Sequence, residues 1–406
     1  MVQDFLLSKA VACIHKAGGM LRYRFVTPSY SITAGADDNS AIPERSRTGR
    51  YLQMYDWDSC FFSQTAHAAG IDGLPADVVR NFLSLKEANG HTPRTVSPQR
   101  IWDAGDNCKP FLCQTLHSQM KAECARGGTS NYSSLLDDLD CYLQFYERER
   151  KGQHGLYRWR NVLESGVDDN LALLSPREAA KDENDSTATF PDGRLLAVDL
   201  SSYLCAEFHA FAEICSMHGK SELSTKYAKS AAATAKAIDD HLWNEKLSLF
   251  CNLNPEDGTH VAVRAWTGLT PALLGLTDAK KMKRVIEDNM ISADHFFRPA
   301  GLSSLAASEL LYNNAARGLV GRAIVSNWQG PVWVLPNVLA VRCLLKEGYK
   351  KQAEVLSARV IQTLYDDIRA NGTLHENYHA ETGKALWAPQ FMSWNILALE
   401  LVAVLA

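Results

Sequence analysis

Apolar residues recur at helical spacing in several stretches of the chain, and these stretches come in consecutive pairs. Leu200, Tyr203, Leu204, Phe208, Phe211, Ile214 and Cys215 follow the three- and four-residue intervals that stack side chains on one helix face. The pattern stops at MHGKS, where Gly219 supplies a C-terminal stop and Ser221 a cap. It resumes with Tyr227, Ala231, Ala235, Ile238 and Leu242. The same layout returns with Val334, Leu335, Val338, Leu339, Val341 and Leu345, a break at KEGYKK, then Val355, Leu356, Val360, Ile361, Leu364 and Ile368, with Asn371-Gly372 as the stop. WNILALELVAVLA is apolar almost all round, the pattern of a buried helix. Alternation of period two is weak everywhere; YRWRNVL and SLFCNL come nearest, and both are short. Helix pairs repeating at roughly 50 residues with long Gly/Pro/aromatic connectors predict stacked or ring-arranged helical hairpins. The expected fold is therefore an all-α toroid. No Ser/Gly/Pro-rich stretch marks a linker, so a single domain over 1–406 is expected.

Composition narrows the partners. With 46% hydrophobic residues, the chain has material for a large core. Its 42 Lys+Arg against 46 Asp+Glu leave a net charge of -4, without the basic stripe a phosphate backbone requires, so no nucleic acid is expected. The opening MVQDFLLSKAVACIHKAGGM lacks the regions of a signal peptide, and no apolar run is long enough to span a bilayer, so no membrane association is expected. Ten cysteines without a CxxC pair fit reduced, mostly buried thiols in a cytoplasmic protein. A homo-oligomer remains compatible with the chain.

The unusual residues lie in the connectors YLQMYDWDSCFF, NGHTPRTVSP, DNCKPFLCQ, LESGVDDN, NWQGPVW, HENYHAETG and WAPQFMSW. Trp57, Trp328, Trp333, Trp387 and Trp394 are five of the nine tryptophans, and they stand near Arg94, Asp58, Gln114, Gln329 and Gln390. Flat apolar faces beside hydrogen-bonding tips suit a sugar, whose C–H face stacks while its hydroxyls need partners. Single tryptophans equally serve to anchor loops to a core. Two acidic positions suit catalysis. Glu164, Asp168 and Asp169 fall within six residues, and like charges held close raise one another's pKa, as a group that must stay protonated requires. The other is Glu376. Solvated loop carboxylates or helix caps are the ordinary explanation for such residues.

His375-Glu376-Asn377-Tyr378-His379 is a literal H-E-x-x-H, the pattern of a zinc hydrolase. A zinc site needs both histidines on one helix face and a third ligand downstream. Here the motif lies between Gly372 and Gly383 without apolar periodicity and reads as a loop. Thr382 replaces the glycine of the extended motif, and Glu400 sits in an apolar helix. No metal and no cofactor are expected.

YDWDSCFF, GHTPRTVSP, CKPFLCQ, ESGVDDN, NWQGPVW, HENYHAETG and APQFMSW, in this order over positions 51–394, resemble the motif series of glycoside hydrolase family 63 and its trehalase relatives. More narrowly they are similar to the short glucosylglycerate and mannosylglycerate hydrolases. The resemblance implies an (α/α)6 barrel and an inverting α-glycosidase acting on a small α-glucoside or α-mannoside, with Asp168 as general acid and Glu376 as general base. It implies substrate contacts at Tyr55, Trp57, Asp58, Arg94, Gln114, Trp328, Gln329, Trp333 and Gln390. Tyr55 stands where the glycerate-type hydrolases carry a tryptophan, a departure that bears on the aglycone. Trehalose or kojibiose would be the alternative substrates. A glycerate carboxylate would need a cation, for which Arg94, Lys109 and Arg264 are available. From other classes, a zinc-dependent hydrolase and a sugar epimerase or sugar-binding protein stay open.

Overall fold

The computed structural model describes residues 1–30, 51–128, 130–173, 193–315 and 326–406. Among them helices dominate, and sheets are limited to antiparallel sets of two or three strands with no closed sheet. The first expected pair forms Val198–Met217 and Ser221–His241. Gly219 has φ 69, and the Lys220 N–H reaches back to the Cys215 carbonyl at 2.8 Å, so the stop works as the residue type dictates. Ser221 is the first helical residue rather than the cap. The second pair is Val334–Lys346 and Lys350–Asn371, closed by Gly372 at φ 66.

Two expectations need correction. The C-terminal segment becomes a 3-10 turn, Trp394–Leu397, followed by the helix Ala398–Leu405, and Leu405 is 43% exposed; its apolar far side is not buried. YRWRNVL forms no strand: Tyr157 makes an isolated bridge with Lys151 and its last two residues open a short helix, whereas SLFCNL supplies Leu249–Phe250, paired with Trp243–Asn244. Several small sheets are unforeseen, the three-stranded one among them: Met54–Tyr55, Pro93–Val96 and Ile101–Asn107, with Tyr55 opposite Thr95 and Val96 opposite Ile101.

The described chain forms two compact units. The first comprises Met1–Glu149, Tyr203–Ala232 and Ala388–Leu399. In it the helix Asp56–Ala68 packs against Leu74–Ser84 and Leu112–Ala125, burying Phe62, Val78, Phe82, Leu116 and Met120. Leu112–Ala125 has no capping side chain of its own. Its first N–H groups are taken instead by buried Glu207, which accepts from Cys113 N at 2.7 Å and Gln114 N at 3.1 Å. Burial pushes the Glu207 carboxyl up to about 7. Glu207→Ala orphans both donors and should lower stability by about 1–3 kcal/mol, measured as a shift in the urea midpoint at constant slope.

The second unit comprises Arg150–Ser202, Ala233–Trp387 and Glu400–Ala406. Its helical hairpin Val334–Lys346 and Lys350–Asn371 buries Val338, Leu344, Leu356, Val360 and Leu364. All ten cysteines are free thiols, eight of them buried.

Candidate active site

In the second unit a short helix, Val162–Ser165, begins with the Asn161 side chain accepting from Glu164 N at 2.8 Å. It ends at Gly166, φ 76, a conformation that glycine adopts without a Cβ penalty. The following residues fold tightly: Val167 N donates to Ser165 Oγ at 3.1 Å and Asn170 N to the Val167 carbonyl at 3.0 Å. This turn carries Asp168, half-buried, and Asp169, 3% exposed. Of the three expected carboxylates, Glu164 drops out of the cluster. It is paired with Arg150, Nη2 to Oε1 at 2.7 Å, and accepts Arg160 N at 2.6 Å. Asp169 Oδ1 accepts from the Trp328 N–H at 2.7 Å, while its Oδ2 is buried with no hydrogen-bond partner among the described residues. Burial, reinforced by the charge of Asp168, pushes its carboxyl up to about 7.

The segment beneath this turn is a block of indoles. Trp328 lies face to face with Trp333, centroids 3.7 Å apart and 5° from parallel, and Trp266 stacks at 5.7 Å. Trp333 Nε1 donates to the Asn327 carbonyl at 3.0 Å. Gln329 is 2% exposed, and both ends of its amide serve the protein: Oε1 accepts from Asn313 at 3.1 Å and Nε2 donates to the Asp169 carbonyl at 3.3 Å. Gln329 thus holds the segment in place, which its residue type alone did not reveal.

Glu376, 4% exposed, enters the strand pair Asn377–Tyr378 and Ala385–Trp387, its N–H donating to the Trp387 carbonyl at 2.8 Å. Asp367 anchors this entry. It receives His375 N at 3.0 Å and Tyr378 Oη at 2.9 Å, and His375 Nδ1 lies 3.0 Å from each of its oxygens. Tyr378 pairs with Val332, N–H to carbonyl in both directions at 2.8 and 3.0 Å. The indole segment therefore joins the two acidic sites: Trp328 is bonded to the Asp168–Asp169 turn and Val332 to the strand that follows Glu376.

The helical arrangement of a zinc hydrolase is not formed: H-E-x-x-H is a loop and a strand, and Glu400 is paired with Arg342 at 2.7 Å. No group of three or more ligating side chains occurs among the described residues.

The remaining expected residues lie in the first unit. Trp57 and Asp58 occupy the first turn of Asp56–Ala68. Trp57 meets Trp394 edge-on at 5.4 Å. Asp58 accepts from Ser393 Oγ at 2.7 Å, and burial pushes it up to about 6. Lys109 cannot be the cation for a substrate carboxylate. It is fully buried, with Nζ 3.0 and 3.1 Å from the two oxygens of Asp56 and 4.8 Å from the Trp57 ring centroid. Asp56, 0% exposed, also accepts Trp57 N and Lys109 N, so it fixes Trp57 from below; sequence reading missed this role. Arg94 faces Asp106 at 3.5 Å. Tyr55 donates to Gln53 at 3.3 Å. The Gln114 amide donates to the Pro110 carbonyl at 2.8 Å and to Glu207 at 3.1 Å. Gln390 has φ 65, and its carbonyl accepts Tyr30 N at 3.1 Å. Arg264, in the second unit, donates through Nε to Asn289 at 3.2 Å.

Two acidic segments bonded to one stretch of stacked indoles, on a predominantly helical scaffold, suit a glycoside-cleaving enzyme. The family model for the mannosylglycerate hydrolase MGH1-like glycoside hydrolase domain matches residues 51–394, and the chain belongs to this family. It is 23% identical over 281 residues to a probable mannosyl-oligosaccharide glucosidase of Schizosaccharomyces pombe, covering 64% of this chain and 31% of that relative, so it spans about a third of that relative's length. It is 23% identical over 329 residues to a mannosylglycerate hydrolase of Rubrobacter radiotolerans, covering 80% of this chain and 69% of the relative. The GH63 mannosylglycerate hydrolase of Thermus thermophilus solved with glucose superposes with a TM-score of 0.68 at 14% identity, covering 99% of both chains. That likeness shows the fold, the all-α toroid class expected from the sequence. No helix among the described residues is long and apolar enough to cross a membrane.

Proposed function

We propose that this chain is an inverting α-glycosidase acting on a small α-glucoside or α-mannoside, best fitted to glucosylglycerate or mannosylglycerate. Asp168 donates its proton to the departing oxygen, and Glu376 deprotonates the water that attacks the anomeric carbon from the opposite face. Inversion asks for roughly 6.5–9.5 Å between the two carboxyl groups, room for that water. The observation that carries the reading is the bonding of both acidic segments to residues 328–332, which ties them to one scaffold. The Thermus enzyme has also been solved with Tris and D-glycerate, which supports a glycerate aglycone here. A single (α/α)6 domain in the cytoplasm belongs to the same reading, supported by one family match spanning 51–394 and by ten free thiols.

The test is a panel of glucosylglycerate, mannosylglycerate, trehalose and kojibiose with product anomers followed by proton NMR. The β-anomer is expected as the first product, from a glycerate glycoside before the others. Initial release of the α-anomer, or no cleavage of any member, would refute the assignment. Hydrolysis should also persist after exhaustive dialysis against EDTA, since no step draws on a metal; loss restored by zinc would return the motif at His375 to consideration.

A further inference from the structure

Asp367 is buried one turn from the C-terminal end of Lys350–Asn371, the end of a helix whose macrodipole favours cations. Its own helix takes one bond from it, Asn371 Nδ2 to Oδ1 at 2.8 Å. Its other bonds go to the loop and strand beyond. His375 N donates to Oδ2 at 3.0 Å, and the His375 ring stands with Nδ1 3.0 Å from both oxygens. Tyr378 Oη donates to Oδ2 at 2.9 Å and itself accepts from His375 N at 3.0 Å. These donors belong to residues on either side of Glu376, whose own N–H is held by the Trp387 carbonyl at 2.8 Å. The chain is thus held before, at and after the glutamate, and the point of attachment is a helix of 22 residues rather than another loop. A buried side chain on a backbone held in this way has few directions open to it.

We propose that Asp367 is a positioning residue for the base: it accepts donors from both sides of Glu376 and thereby sets where the Glu376 carboxylate stands relative to the attacking water. The inference rests on the reading of Glu376 as general base. Proton removal requires that carboxylate within hydrogen-bond reach of the water, and a displacement of about 1 Å costs on the order of a hundredfold in rate. Without the Asp367 acceptor, His375 and Tyr378 lose their common tie to the helix. The backbone bonds of Glu376 to Trp387 and of Tyr378 to Val332 remain, so the segment persists with its glutamate less well aimed.

The test is a double-mutant cycle. Asp367→Asn, close in shape, should lower kcat about 10–100-fold on the panel glycoside that the wild type cleaves fastest, with KM within about twofold. In a Glu376→Gln background the same change should alter the remaining rate by less than about twofold, because no base is left to misplace. A purely structural residue lowers both backgrounds by the same factor, and that result overturns the proposal, as does an Asp367→Asn kcat equal to that of the wild type. Tyr378→Phe runs the same cycle more gently and decides the question if Asp367→Asn does not fold. It removes one hydroxyl, keeps the backbone bonds to Val332, and should lower kcat about fivefold in the wild-type background alone. An equal loss in both backgrounds again overturns the proposal. Glu376→Gln by itself separates the premises. If it loses less than about tenfold, the assignment of the base fails and this inference with it. If it is impaired as expected while Asp367→Asn multiplies through both backgrounds, the inference alone is wrong.

Discussion

Asp168→Asn and Glu376→Gln should each lower kcat/KM by about a thousandfold, within the range that general acid–base groups contribute, while leaving the thermal midpoint close to that of the wild type. Both substitutions preserve shape, and Glu376 at 4% exposure keeps its backbone bond to Trp387. The two losses should differ in kind. A substrate with a good leaving group, such as an aryl glycoside, needs little protonation, so it should recover much of the rate in Asp168→Asn and little in Glu376→Gln. Steady-state kinetics with both substrate types reads this directly. A loss below tenfold in either variant, or the reverse pattern of recovery, would remove the assigned roles.

The largest effect on stability is expected at Asp56. Asp56 and Lys109 are both 0% exposed, and Asp56 holds the ammonium with both oxygens while accepting two backbone N–H groups. Burial pulls the Lys109 pKa down and the charge of Asp56 pulls it back, so the cation depends on its partner. Asp56→Ala strands a buried charge and should cost about 3–5 kcal/mol. The double change Asp56→Asn with Lys109→Met removes both charges and should recover most of that loss, because the desolvation cost disappears along with the attraction. Denaturant unfolding of the single and double variants measures the difference. An Asp56→Ala midpoint indistinguishable from the wild type would show that the pair contributes little.

Helices were legible in the sequence because their burial repeats: the apolar faces of Val198–Met217 and Lys350–Asn371 recur at intervals that periodicity detects, and Gly219 and Gly372 punctuate them. The strand Ile101–Asn107 was not, since Asp103, Gly105, Asp106 and Asn107 have low strand propensity, and its pairing with Pro93–Val96 overrides that preference. The acidic sites were legible as motifs, but their supports were not. Trp328 meets Asp169 across 159 residues and Lys109 meets Asp56 across 53, and composition gives no hint of which distant group will close on which. Residue type does not announce the protein partners of Gln114 and Gln329: the first amide is bonded to the Pro110 carbonyl and Glu207, the second to the Asp169 carbonyl. Lys109 shows the same limit, since a lysine beside aromatics looks like an anion receptor until its burial is known.

The parallel stack of Trp328 on Trp333 has a thermodynamic corollary. Each indole has a face covered by the other at 3.7 Å, and exposures of 2% and 1% leave neither ring room to rotate. A side chain frozen by a ligand surrenders about 0.5–1.5 kcal/mol of rotameric entropy at every encounter. These rings surrendered theirs when the chain folded, so under the proposed function a substrate meeting their rims would find a wall already set, with nothing to order again at each turnover.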